Sequence, residues 1–191
     1  MKSYIYPTAL QKQSMEALKN KKQKNVIIKY QEFNGIKLTI FLPMLNNQMR
    51  HAITESVINE DSPVIHSAVI CHSKARSATI NEFLTDLTSF CSEMVKIINL
   101  DESSDIKDSI AIYRSALQAK TQGMSFILVS TAGNYLKFRN MAPSNDCYSV
   151  ILDKVDLLQA FKFTPELKKI AENLNVVSSP LQGKVIMTTS S

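Results

Sequence analysis

Short, nearly uninterrupted apolar runs alternate along the chain with longer segments in which apolar residues recur every three or four positions. The runs are Asn25–Lys29 (NVIIK) and residues 68–71, 95–100 (VKIINL), 126–130 (FILVS), 148–152 (YSVIL) and 185–188. Runs without polar alternation predict strands whose two faces are both covered. Between them, Ile80, Phe83, Leu84, Leu87 and Phe90 fall on one helical face, as do Ile106, Ile110, Tyr113 and Leu117. Leu167, Ile170, Ala171 and Leu174 form another such face, behind Thr164 as N-cap and Pro165 at the first helical position. Near the N-terminus, Thr8 and Gln11 make a T-x-x-Q capping box that opens a helix through Leu18. Strand and helix in alternation predict an α/β domain of three layers, a mostly parallel sheet covered by helices on both faces. The polar stretches 54–62 (TESVINEDS) and 142–147 (APSNDC) read as surface loops, and so does the lysine cluster Lys19, Lys21, Lys22 and Lys24.

Composition narrows the class. With 191 residues, 45% of them hydrophobic and 20% charged, the chain can bury a full core and reads as one domain over 1–191. There is no repeat, low-complexity segment or linker. Cys71, Cys91 and Cys147 are too few and too scattered for a disulfide framework or a zinc knuckle, which predicts reduced structural thiols in an intracellular protein. No segment reaches the roughly 18 apolar residues that a membrane span requires, so no membrane partner is expected. The helical faces are used by the core, and the expected state is monomeric. A net charge of +5 suits a polyanion such as RNA, although solvated lysines give the same balance.

The stretch 150–158 (VILDKVDLL) is a buried strand running into two aspartates with a lysine between them. In a parallel sheet, ligands bind beyond the carboxyl ends of the strands. Asp153 there suits a magnesium ligand, and it suits a helix cap equally well. The order of segments decides more. An aromatic-x-x-Pro-Thr-x-x-Gln stretch leads into a helix, a strand, a glycine-containing loop and the helix LTIFLPML. In this order the chain resembles the N-terminal RecA-like domain of DEAD-box RNA helicases over nearly its whole length. Tyr4, Pro7, Thr8 and Gln11 match that family's adenine-recognising Q motif. Residues 32–37 (EFNGIK) stand at its phosphate loop, 72–77 (HSKARS) at P-T-R-E-L-A, and 131–134 (TAGN) at T-P-G-R. Residues 153–156 (DKVD) stand at D-E-A-D and 188–190 (TTS) at S-A-T. Residues 156–170 (DLLQAFKFTPELKKI), the stretch LDESSDIKDS and the missing Gly-Gly motif are similar to a nucleolar subgroup that acts in large ribosomal subunit assembly.

The resemblance implies a vestigial nucleotide site of Tyr4, Gln11, Gly35, Asp153 and Asp156, with Asp153 as the metal ligand if magnesium binding is retained. It implies RNA contacts at Ser73, Lys74, Thr131 and Gly133, and domain coupling through Thr188, Thr189 and Ser190. The departures fall on the chemistry. Ile36 stands in place of the phosphate-loop lysine, Lys37 in place of the metal-binding hydroxyl, and Lys154 in place of the catalytic glutamate. A phosphate loop needs small residues, a lysine and a hydroxyl together. Losing a general base alone commonly costs about 10² to 10⁴-fold. No ATP hydrolysis, and no cofactor, is therefore expected. Lys37 opposite Asp153 could place an ammonium where magnesium would sit, or both could face solvent. For Ser73 and Thr131, helix capping is the plain alternative; for Lys74 and Arg76, it is a solvated surface.

Three functions stay open: an RNA-binding or assembly module derived from a helicase, with ribosome-assembly proteins as partners and a nuclear or nucleolar site of action; the first domain of a working Mg-ATP-dependent helicase with divergent motifs; or a protein-interaction scaffold. The chain stops at Ser191, just past the S-A-T position, so a second RecA-like domain is absent from it.

Overall fold

The computed structural model describes residues 7–19, 25–30, 35–58, 66–102, 105–118, 124–142, 147–176 and 184–190. Six strands form one sheet: β1 (Asn25–Lys29), β2 (His66–Cys71), β3 (Val95–Asn99), β4 (Ser125–Thr131), β5 (Cys147–Leu152) and β6 (Lys184–Thr189). Their order is β1-β6-β5-β2-β4-β3, and every neighbouring pair is parallel. The helices are α1 (Ala9–Lys19), α2 (Ile36–Ile58), α3 (Lys74–Thr88), α4 (Ile106–Gln118), α5 (Ala132–Met141), α6 (Val155–Ala160) and α7 (Thr164–Val176).

Because successive strand residues point to opposite faces, the central strands feed two cores at once. On one face Val69, Ile127, Val129 and Ile151 meet Leu18 of α1, Ile40 and Phe41 of α2, and Ile80 and Leu84 of α3. On the other, Ala68, Ile70, Phe126, Leu128 and Val150 meet Tyr113 of α4, Phe138 of α5, Leu158 of α6 and Ile170 of α7. The expected three-layer α/β architecture is thus present, with all six predicted strands. Cys71, Cys91 and Cys147 are buried free thiols. Among the described residues no helix is long and apolar enough to cross a membrane.

Several local expectations are corrected. Strand β1 lies at the sheet edge and is covered on one face only: Val26 and Ile28 are buried, whereas Ile27 is 68% exposed. Phe90 is 79% exposed, because α3 ends at Thr88 and a 3-10 turn over Ser89–Cys91 swings it off the helical stripe and seats Cys91 in the core. The stretch read as a loop from residue 54 continues α2 through Ile58, since an established helix gains one hydrogen bond for each residue added. Cys147, assigned to a loop, opens β5, where pairing with His66 buries it. On α7, Ile170 is buried as expected, but Ala171 is exposed. Lys19 ends α1, and Lys21, Lys22 and Lys24 lie outside the described residues.

Candidate functional site

Parallel strands end at one edge of the sheet, so their carboxyl-terminal residues converge. Tyr30, His72, Asp101, Thr131, Asp153 and Thr189 follow or close β1, β2, β3, β4, β5 and β6 respectively. The site-bearing residues lie along this edge in three groups.

The first joins α1 to the start of α2. The capping box forms as the T-x-x-Q spacing predicts: the Thr8 amide donates to Gln11 Oε1 at 2.8 Å, and the Gln11 amide donates to Thr8 Oγ1 at 3.2 Å. The remaining end of the Gln11 amide, Nε2, donates to the Gly35 carbonyl at 3.3 Å. Gly35 has φ of +67°, a conformation that favours glycine, and a Cβ there would lie 2.7 Å from Gln11 Nε2 and displace the end of that side chain. Tyr4, residues 31–34 and the side chain of Ile36 lie outside the described residues.

The second group surrounds the β5 end. Ser73 caps α3, its Oγ accepting the Arg76 amide at 3.2 Å, which sets Arg76 in the first helical turn. From there the guanidinium forks onto Asp153, with Nε to Oδ2 at 2.6 Å and Nη2 to Oδ1 at 3.2 Å. Asp153 is 7% exposed and its amide donates to the Ile70 carbonyl at 3.0 Å. The bond to Asp153 raises the pKa of Arg76 above its usual value, against the opposing effect of burial. Two expectations fail here. Arg76 is not a solvated surface residue, and Lys37 is not the counter-ion of Asp153. Lys37 Nζ instead lies 5.1 Å from the centre of the Phe83 ring, and burial followed by repulsion from Arg76 lowers its pKa. The arginine won because its planar fork engages both carboxylate oxygens at once, as a single ammonium does not.

Beside this pair, Lys154 adopts a left-handed conformation (φ 54°, ψ 67°) and its amide donates to Thr188 Oγ1 at 2.8 Å. Ser190 Oγ donates to Asp156 Oδ2 at 2.9 Å. The Asp156 pKa lies below the ordinary carboxylate value: burial pushes it up, and hydrogen bonds led by that from Ser190 outweigh burial. The Thr189 carbonyl accepts the Tyr30 amide at 3.0 Å. Thr188, Thr189 and Ser190 thus stitch β6 to the turn after β5 and to the end of β1, all within this domain. His72 stacks on Phe161, with centroids 5.8 Å apart and planes within 7°.

The third group closes β3 and β4. Asp101, 6% exposed, accepts from the Thr131 amide at 2.6 Å, Thr131 Oγ1 at 2.9 Å and Asn134 Nδ2 at 2.7 Å. Its own amide donates to Asn99 Oδ1 at 3.0 Å, which also receives Ser77 Oγ at 2.7 Å. Thr131 stands at the N-cap of α5 but its side chain makes no capping bond, because Asp101 takes the hydroxyl. Lys74 is exposed, and Gly133 has open space where a Cβ would be.

Sequence reasoning missed Arg76 and Asp101 as site residues. Arg76 had a signal: it stands at the leucine of P-T-R-E-L-A, a cation in an apolar place. Asp101 had one too, an acid directly after an apolar run, as Asp153 follows its own. A divalent cation needs carboxylate oxygens that other donors have left available. Both oxygens of Asp153 are taken by Arg76, and among the described residues no group of three His, Cys, Asp or Glu could hold a metal. The residues at this strand end do not fit magnesium in the arrangement they adopt.

No protein-family profile matches the chain. Among curated proteins it is similar to the ATP-dependent RNA helicase DBP9 of Saccharomyces cerevisiae (strain YJM789), with 23% identity over 175 residues. The similarity to DBP9 of Candida glabrata has the same identity and length. Each alignment covers 90% of this chain, which spans about 28% of the length of those relatives. Among solved structures, the yeast DEAD-box splicing factor Prp28 superposes with a TM-score of 0.70 at 16% identity, over 97% of this chain and 40% of the other. A DEAD box protein from Methanococcus jannaschii gives 0.69 at 16% identity, over 97% and 44%. The DEAD-box helicase Mss116 bound to ssRNA gives 0.69 at 12% identity, over 96% and 35%. In the order of its landmarks and in its fold, this chain is similar to the N-terminal RecA-like domain of the DEAD-box RNA helicases.

Proposed function

We propose that this chain is a RecA-like module that contacts RNA backbone, or joins RNA to protein, without hydrolysing ATP. The observation that carries the reading is Lys154. The turn that would present a catalytic carboxylate is built and tied to Thr188, yet it ends in an ammonium, which has no lone pair with which to accept a proton from water. The net charge of +5 favours a polyanionic partner. One of the similar solved helicases is bound to ssRNA. The similarity to DBP9 and the nucleolar-subgroup pattern in residues 156–170 favour a role beside ribosome-assembly proteins, in the nucleus or nucleolus.

A protein-interaction scaffold is the second reading. It is favoured by the internal use of groups suited to RNA: the Ser73 hydroxyl caps α3, and Thr131 and Asn134 are bonded to Asp101. Titration with Mg-ATP beside titration with single-stranded RNA at several salt concentrations separates the readings. The expected result is RNA affinity that falls steeply with salt and does not respond to nucleotide. Micromolar ATP binding with RNA-stimulated hydrolysis would overturn the proposal in favour of a working helicase domain. Binding of neither ligand would transfer it to the scaffold.

A further inference from the structure

We infer that Arg76 is a resident substitute for a divalent cation, and that Asp153 remains a latent metal ligand which Arg76 keeps closed. The inference deepens the reading above and rests on it in one respect: both take the strand end to be complete without metal.

Three observations converge. Asp153 is nine-tenths buried at a strand end, where a carboxylate is costly unless it is paired or hydrogen-bonded. The partner is supplied from α3 as a two-pronged fork that bonds both carboxylate oxygens and sets a full positive charge where a cation would approach. Lys37, whose ammonium also feels the Asp153 charge, is held over Phe83, and Arg76 repels it. The guanidinium therefore neutralises the β5 end permanently, as a tethered charge that cannot dissociate, whereas a bound metal ion exchanges with solvent. Ser73 contributes by capping α3, because the first helical turn sets the direction from which Arg76 arrives.

The fork is also well placed to act as a lock. The Asp153 amide donates to the Ile70 carbonyl, and the next residue is the left-handed Lys154, whose amide is tied to Thr188. The carboxylate thus stays at the strand end when its side-chain partner is removed, and its two oxygens become available to a hard cation from solvent.

The test is Arg76→Leu, which restores the residue type of the P-T-R-E-L-A pattern, with Mn²⁺ as the probe. Metal-free Arg76→Leu should melt about 10 °C below the wild type, since removing one partner of a buried pair leaves a lone charge. Millimolar Mn²⁺ should recover several degrees of that loss by binding the folded state alone. It should also broaden the resonances of residues around Asp153 by paramagnetic relaxation, with affinity at least tenfold above that of the wild type. The wild type should respond to Mn²⁺ in neither assay. Arg76→Leu combined with Asp153→Asn removes both charges; it should regain stability without metal and ignore Mn²⁺. If Arg76→Leu does not fold in metal-free buffer, folding on Mn²⁺ addition supports the inference, and failure to fold with Mn²⁺ while the double variant folds overturns it. Manganese binding by the wild type at the same affinity, or no gain in Arg76→Leu, also overturns it. Neither outcome touches the ATPase result, so the two readings fail separately.

Discussion

Asp101 and Asp153 each follow an apolar strand, each is buried at the same edge of the sheet, and they are stabilised by opposite means. Asp153 meets a full positive charge from the neighbouring helix. Asp101 meets three neutral donors, two from Thr131 and one from Asn134, at the start of α5. There the partial positive charge of a helix N-terminus assists. The difference follows from what the next element offers. After β4 the chain enters α5 directly and presents backbone and side-chain donors together, whereas after β5 the only helix begun is the six-residue α6, whose N-cap Lys154 makes no side-chain capping bond. A carboxylate there takes its partner from α3, 77 residues away in sequence.

The largest break in this comparison should come from Arg76→Ala. The pair is partly open, with side-chain exposures of 20% and 9%. The expected cost is therefore at the lower end for a buried pair, about 3 kcal/mol in urea unfolding at pH 7. Asp101→Ala should cost less, about 2 kcal/mol by the same measurement, because water can reach the half-buried Thr131 and Asn134 donors. If the two variants cost the same, charge pairing and neutral hydrogen bonding are equivalent at this edge, and the distinction drawn between them fails.

The smallest effect sharpens the comparison by supplying its pH background. His66 lies fully buried at the far end of β2, 3.1 Å from the Tyr135 hydroxyl. Burial, with Arg139 adding repulsion, pushes its pKa down to about 3. The folded state thus holds a neutral imidazole that the unfolded chain protonates below about pH 6.5. Its contribution to stability is full above that value and is lost as pH falls toward 3. Between pH 7 and pH 5.5 the loss should be about 1 kcal/mol. His66→Gln should flatten that part of the profile measured by urea unfolding. An unchanged slope in the variant would assign the titration to another group.

How much was legible in the sequence follows from which forces are local. Unbroken apolar runs and helical stripes reported the six strands and the alternation of layers, because burial on both faces leaves a direct mark on residue type. The capping box was equally legible, since Thr8 and Gln11 meet through spacing alone. Phe90 was not, because the point at which α3 gives way to a tighter turn depends on packing that puts Cys91 inward. Ile27 was not, because its exposure depends on β1 being an edge strand, and strand order is absent from any local pattern.

The candidate site divides in the same way. The sequence by itself determined that Asp153, Asp156 and Lys154 occupy a strand end and that Ile36 and Lys37 stand where a lysine and a hydroxyl would serve a nucleotide. That Thr188 and Ser190 meet that end, through the Lys154 amide and the Asp156 carboxylate, is seen only in the fold. Only the tertiary structure decided which cation answers Asp153. Lys37 and Arg76 are both basic and both belong to segments near the strand ends, so composition and spacing leave them equivalent. The choice was made where the capped α3 aims a rigid fork across the sheet edge while Lys37 lies along an aromatic ring. Side-chain direction is a property of packed helices, and no one-dimensional pattern contains it.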